Sequence, residues 1–263
     1  MVVSSIEVEK VTKQFNMRYQ RTLKQMIVAK TRGQKTSESF WALQDVSFTV
    51  GQGEAIGLMG LNGSGKSTLL KHIMGVMKPT SGSVRTRGRI SGLIATGAGF
   101  HPEMTGTENI YMNAAILGMT KEETDAKYDD IAGFADVGAF LDTPVGNYSS
   151  GMFARLGFSV AVNVDCDVFI ADEVLAVGDQ PFKKKCMKRM EEIRDSGVTL
   201  FYVSHAAQSV RKMCTRVIVL ENGVVGFDGD VDEGIKYLHY DDDSEPDPVD
   251  EEQNADAELG SEI

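Results

Sequence analysis

The chain has 263 residues, 42% of them apolar and 25% charged, an ordinary globular composition with enough apolar mass for a sizeable core. No run approaches the roughly 20 apolar residues that span a bilayer, and residues 1–9 lack a basic-then-apolar leader pattern, so a cytosolic protein is expected. The formal charge of -11 belongs to the tail: residues 241–263 hold eleven acidic side chains and no lysine or arginine, leaving 27 acidic against 27 basic residues before them.

In chain order, residues 6–15 and 41–58 alternate β-branched and aromatic residues with polar ones, as strands do, and the second run breaks at the turn Gly51-Gln52-Gly53. Between them, residues 16–40 carry Arg18, Arg21, Lys24, Lys30, Arg32 and Lys35 against one acid, Glu38. Tyr19, Leu23, Met26 and Ile27 are spaced to share one helix face, so this segment reads as a basic amphipathic insertion. A helix is expected from Ser67 to about Met77, stopped by Lys78-Pro79-Thr80-Ser81-Gly82.

Residues 103–160 are helical in pattern, whereas 167–172 and 198–203 are short apolar runs of buried-strand type. Helices alternating with buried strands predict an α/β fold on a parallel sheet. The tail after Tyr240 has too few apolar residues to offset its ordering entropy, so disorder is expected there. Cys166, Cys186 and Cys214 form no paired motif and have no clustered histidines, so buried or inert thiols are expected.

Gly60-Leu61-Asn62-Gly63-Ser64-Gly65-Lys66-Ser67 matches the phosphate-binding loop, placed after a strand-like run and before a helix-like one. Glycines at 60, 63 and 65 let the backbone curl so that its N–H groups face phosphate oxygens. Lys66 reaches the β and γ phosphates, Ser67 is a Mg²⁺ ligand at a helix N-terminus, and Thr68 continues the site. Asp172 and Glu173 end an apolar run, which suits a metal-positioning carboxylate followed by a general base for the attacking water.

Tyr148-Ser149-Ser150-Gly151-Met152 resembles the signature loop of ABC ATPases. Leu175–Asp179 looks like the loop that follows their acidic pair, and Ser204-His205 like their switch histidine. The resemblance covers about residues 5–240 and implies a P-loop NTPase of ABC ATPase type, with a RecA-like parallel-sheet core, an antiparallel β subdomain and a helical subdomain over about 103–160. It also implies ATP and Mg²⁺, and a homodimer in which Ser149, Ser150, Gly151 and Met152 act on the opposite subunit's nucleotide. Glu173 is then the general base and His205 contacts the γ-phosphate. Two copies of an integral membrane permease, a location on the cytoplasmic face of the membrane and no nucleic-acid partner complete the expectation.

The loop reads YSSGM, and His101 stands nearest the glutamine usual in this family, which leaves its role as a metal-sensing residue open beside a structural one. Phe15 falls where an aromatic ring stacks on adenine, with Trp41 as rival and a core role as the alternative for Phe15. Together with FWALQDVSF and DEVLAVGD, these features resemble exporters of capsule, O-antigen, teichoic acid or galactan on a lipid diphosphate carrier, the mycobacterial-type galactan exporter among them. Export of another cargo, a lipid or a drug, is the alternative. The short acidic tail leaves no room for an appended carbohydrate-binding β-domain, so export without one is expected.

Overall fold

Strand β1 (Ser4–Arg18) and strand β2 (Ser37–Gly51) pair antiparallel along most of their length, and a turn with Gly53 at φ 73° leads into β3 (Ala55–Met59). The computed structural model describes residues 3–18, 37–92, 99–172, 179–204 and 206–238. After β3 come α1 (Lys66–Ile73), β4 (Ser81–Thr86), β5 (Ile90–Gly92), α2 (Gly106–Ile116) and α3 (Lys121–Ala135). Two short 3-10 turns precede α4 (Ser150–Ala161), β6 (Val168–Ala171), α5 (Gln180–Asp195) and β7 (Thr199–Val203). The chain then adds α6 (Ala207–Met213), β8 (Arg216–Glu221), β9 (Val224–Asp230) and α7 (Val231–Tyr237).

Strands β3, β6 and β7 are buried at every position, the mark of parallel strands covered on both faces. They lie in a six-stranded sheet of order β5-β6-β7-β3-β8-β9, parallel from β5 to β8 with β9 antiparallel at the edge. Leu58 pairs with Val203 and Ala171 with Tyr202, so the carboxyl ends of β3, β6 and β7 finish level with one another. A second sheet, order β2-β1-β4, is antiparallel throughout.

Three apolar clusters follow from this layering. One joins the sheet to α5, α6 and α7, and a second packs β1, β2 and α1 on the opposite face. The third is built by α2, α3 and α4 around Ile110, Ile131, Leu156 and Val160. Burial pushes the Cys166 thiol up to about 11 and those of Cys186 and Cys214 up to about 12, so all three stay protonated and weakly nucleophilic at neutral pH.

Two boundaries differ from the sequence reading. The segment 16–40 is not an insertion at its ends, because Asn16 pairs with Ser39, Met17 with Glu38 and Arg18 with Ser37, extending the hairpin through mostly polar residues that break hydrophobic alternation. The remainder, with Tyr19, Leu23, Met26 and Ile27, lies outside the described residues, as do residues 239–263. The helix expected to reach Met77 ends at Ile73: Gly75 turns to φ 73°, the Met77 N–H bonds the Lys71 carbonyl, and His72 Nδ1 bonds the Met77 carbonyl at 2.7 Å.

Helices α2 and α3 both open with capping boxes. Thr105 accepts from the Glu108 N–H and Glu108 from the Thr105 N–H, and Thr120 and Glu123 repeat the exchange. These bonds hold the Glu108 and Glu123 carboxyls below their ordinary range, led by the backbone bonds from Thr105 and Thr120. A depressed carboxyl stabilises the fold above its unfolded pKa, and that contribution disappears as pH falls through the folded value. Thr105→Ala and Thr120→Ala are each expected to cost about 1 kcal/mol in urea unfolding at pH 7. The difference from the parent chain should shrink as pH falls below the ordinary glutamate value of about 4.3 and the capping carboxyls become protonated.

Candidate active site

Residues 60–65 leave the carboxyl end of central strand β3 and curl into the N-terminus of α1, and three of the glycines adopt φ values closed to most side chains: Gly60 at 137°, Gly63 at 83° and Gly65 at 108°. A Cβ on Gly60 would lie 2.2 Å from the Leu220 carbonyl oxygen, and one on Gly65 would lie 2.5 Å from that of Ala42. Gly63 has open space around it, so it needs glycine only for its backbone angle. The Gly223 N–H donates to the Ser64 carbonyl at 3.0 Å, and the Ser64 N–H to the Leu61 carbonyl at 3.1 Å.

Lys66 donates from Nζ to the carbonyls of Gly60 at 2.6 Å and Leu61 at 3.1 Å, which folds its stem back over the loop. Lys66, Ser67, Thr68, Asn62, Gly63 and Gly65 line a cleft of about 290 Å³ together with Asp172, Val203, Ala42 and Phe40. Asp172 follows β6 directly and therefore stands level with the end of β3. An ammonium, a hydroxyl at a helix N-terminus and a carboxylate thus converge on one concave surface. The Ser64 hydroxyl is buried with no hydrogen-bond partner among the described residues, a polar group left for a ligand or water.

These residues fit a nucleoside triphosphate with Mg²⁺. The cation favours a few hard oxygen donors plus phosphate oxygens, and Ser67 and Asp172 supply that set. No cluster of three or more His, Cys, Asp or Glu side chains exists among the described residues.

Phe40 forms the aromatic wall of the cleft. Phe15, expected as the stacking ring, is not among the lining residues but stacks on Phe40 with centroids 5.5 Å apart and planes 23° from parallel. Trp41 is 48% exposed and does not line the cleft. Glu173, His205 and residues 174–178 lie outside the described residues.

His101 is exposed and does not line the cleft. Its N–H donates to Asn109 Oδ1 at 2.7 Å, and buried Asn109 donates in turn to the carbonyls of His101, Met104 and Thr105, so the backbone at His101 is held in a turn before α2. Ser149 is the N-cap of α4 and accepts from the Met152 N–H at 3.2 Å, leaving Ser150 and Gly151 in the first turn. Tyr148 pins this loop by donating to the Phe140 carbonyl at 2.6 Å. The signature residues do not line the phosphate cleft.

Three functional contacts escaped the sequence reading. Phe40 is one; the pairing that sets it opposite Phe15 is visible only in the structure. The turn Asn222-Gly223, which braces the phosphate loop, is another: an Asn-Gly between two apolar runs is the signal for a tight hairpin. The third is Arg155 of α4, hydrogen-bonded to Asp179 and centred 4.8 Å above the Phe182 ring. It ties the signature helix to the start of α5 and holds the Asp179 carboxyl below its usual range.

A phosphate loop at the carboxyl end of a central parallel strand, facing an acidic residue from the end of a parallel strand two places along the same sheet, defines a P-loop nucleoside triphosphatase. A family model described as "ABC transporter" matches residues 43–176, just over half of the chain, and the chain belongs to that family. It is 51% identical over 191 residues to the ABC transporter protein AbcA of Aeromonas salmonicida, covering 73% of this chain and 62% of the relative. It is 50% identical over 183 residues to the O-antigen export system ATP-binding protein RfbB of Klebsiella pneumoniae, covering 70% and 74%. With the teichoic acids export ATP-binding protein TagH of Levilactobacillus brevis it shares 42% over 235 residues, covering 89% and 64%. The chain thus spans between somewhat under and somewhat over two thirds of these relatives' lengths.

Among solved structures, the ATP-binding cassette MJ0796, in a dimeric post-hydrolysis state bound to ADP and Pi, aligns with a TM-score of 0.68 and 22% identity over 86% of this chain and 98% of that one. That likeness shows the shared fold.

Gly65→Ala is expected to abolish nucleotide binding and to cost at least about 1–3 kcal/mol, since the methyl meets the Ala42 carbonyl in a strained backbone. Gly63→Ala, with space available but the same left-handed backbone, should cost only that backbone strain, about 1 kcal/mol, and bind nucleotide more weakly. Fluorescent-nucleotide titration beside urea unfolding separates the two.

Proposed function

We propose that this chain is the ATP-hydrolysing subunit of an exporter that carries a lipid-diphosphate-linked polysaccharide across the cytoplasmic membrane through a separate permease. The convergence of Lys66, Ser67 and Asp172 on one cleft beside the curled loop carries the ATPase half of this reading. The export functions of the O-antigen and teichoic acid relatives support the cargo half. Among the described residues no helix is long and apolar enough to cross a membrane, so a partner would supply the path.

In this reading Lys66 and the loop's N–H groups hold the β and γ phosphates, and Phe40, backed by Phe15, offers a flat surface to the base. Ser67 and Asp172 would hold Mg²⁺, whose charge offsets that gathering on the phosphate oxygens. Glu173 accepts a proton from the water that attacks the γ phosphorus as the bond to the β-phosphate oxygen breaks, giving ADP and phosphate. His205 contacts the γ-phosphate. The signature residues Ser149–Met152 stand outside their own chain's cleft, which supports their service to the nucleotide of a second copy. Two ATPase subunits with two permease copies, peripheral to the cytoplasmic face, make up the proposed assembly.

Two outcomes test this. ATPase activity of the purified chain should rise more steeply than linearly with its concentration, because each site needs a second copy; strict proportionality down to nanomolar protein would count against the shared site. In the native host, depletion should trap long lipid-linked glycan inside the cell, cleared by the parent chain but not by Glu173→Gln. Sizing the sugars on extracted carrier lipids reads this out and identifies the glycan, galactan included. Unchanged carrier lipids and surface glycan would overturn the cargo and leave the ATPase reading standing.

A further inference from the structure

Helices α3, α4 and α5 meet at a junction to which each brings a phenylalanine. Phe134, in the last turn of α3, stacks on Phe158 of α4 with centroids 5.7 Å apart, and Phe182, in the first turn of α5, meets the two rings in T-shaped contacts at 5.8 and 6.0 Å. Two cations face these rings. Lys185 Nζ lies 4.4 Å from the centre of Phe134, and the Arg155 guanidinium 4.8 Å from that of Phe182.

The polar contacts at this junction run to helix ends. The last carbonyls of a helix have no partner inside it and need a donor from elsewhere. Lys185 of α5 donates to those of Gly133 and Phe134 in the last turn of α3, at 3.2 and 3.0 Å. Arg189 of α5 donates to that of Val162, which caps α4, at 3.1 Å, and its other side is held by Glu192 at 3.2 Å. Both are cations at a helix C-terminus, where the macrodipole favours them. Asp179, the N-cap of α5, holds Arg155, which also pairs with Asp136 at the end of α3 at 3.8 Å. Arg194, in the last turn of α5, turns away from the junction to Asp195 and the Lys212 carbonyl of α6.

Helix α4 is therefore tied to α5 at two points. Arg155 and Val162 stand about 10 Å apart along its axis, and Ser150, in the signature loop, stands about 7.5 Å beyond Arg155 at the other end. A helix tied at two points has a fixed direction, whereas one tied only at Arg155 can swing about it. A shift of about 1 Å at Val162 then carries the signature end about 0.75 Å the opposite way. Lys185 and Arg189 do not line the nucleotide cleft, and α5 packs on the face of the sheet opposite α1.

We propose that Lys185 and Arg189 are positioning residues for hydrolysis. By capping the ends of α3 and α4 they aim the signature loop, so their effect falls on the nucleotide held by a second copy of the chain and not on their own. The inference rests on the shared-site reading given under the proposed function. A misplacement of about 1 Å can cost on the order of 100-fold in rate, so the smaller swing released here is expected to cost about tenfold.

Changing Lys185→Met and Arg189→Met together in the full chain keeps the apolar stems and removes the donors. The kcat for ATP should fall about tenfold, with fluorescent-nucleotide affinity within about twofold of the parent. An unchanged kcat overturns the proposal, as does a loss of nucleotide affinity that matches the loss of rate. Mixing the double variant with Lys66→Ala then locates the effect. In a mixed dimer the variant's cleft meets the intact signature loop of the Lys66→Ala chain, so activity should exceed the sum of the two chains assayed apart. Gly151→Asp mixed in the same way is the control, since Gly151 has room for a side chain. Restoration in the control but not with the double variant overturns the positioning role and leaves the shared site standing; restoration in neither overturns the shared site and this inference with it. Arg189→Lys, which keeps a cation for the Val162 carbonyl, should turn over faster than Arg189→Met, and equal rates would count against that contact. Urea unfolding checks that the double variant is folded, and Arg189→Met alone takes its place in the mixture where it is not.

Discussion

The backbone of the phosphate loop lies against two carbonyls, and the rest of the molecule is arranged around that contact. Gly60 approaches the Leu220 carbonyl on β8 and Gly65 approaches that of Ala42 on β2, at angles and distances only glycine tolerates. Those carbonyls belong to different sheets, so the loop is clamped between the parallel sheet that aims it and the antiparallel hairpin that closes its cleft. The Gly223 N–H adds a third anchor, and because Gly223 itself packs on Ala42, the turn between β8 and β9 locks hairpin and loop together. Turning the N–H groups of residues 60–65 toward one point requires this support, since an unsupported glycine loop has the most conformational entropy to lose.

What was legible in the sequence follows from how local each feature is. The phosphate loop and its helix are contiguous, and the buried runs at 168–171 and 199–203 announce themselves by apolar continuity, so strand identity and the acidic residue's place at a strand end could be read directly. Phe40 could not, because its role depends on β2 crossing beside Gly65, a contact between distant residues. The hairpin's extension through Asn16–Arg18 and Ser37–Ser39 was hidden for a similar reason: edge strands satisfied by backbone pairing need no apolar alternation. The early end of α1 at Ile73 turns on Gly75, where periodicity continues but the backbone does not. The shared family explains why the signature loop was recognised by its letters, whereas the Ser149 cap shows what those letters do locally: they start a helix.

The helices α2, α3 and α4 have a core of their own, and Arg155 is one of the polar struts that join it to the sheet side. Its guanidinium is held over Phe182 and hydrogen-bonded to Asp179, directly after the segment that follows Asp172. Such a bond has directional demands that an apolar contact lacks, so a rotation of α4 is felt at the start of α5. The Asp179 carboxylate is stabilised in its charged form by that arginine, which keeps the strut intact at neutral pH.

On the proposed reading, this strut matters because the active site is divided. One chain supplies the phosphate loop and acidic pair, and the signature loop of a second completes the site over the γ-phosphate. A chain alone then holds ATP in a cleft open on one side, where water screens the developing charge; closure by the second copy removes that water and adds backbone donors from the first turn of α4. On that reading, hydrolysis at the two sites is tied to a single geometric event, the approach of two α4 N-termini to two phosphate loops.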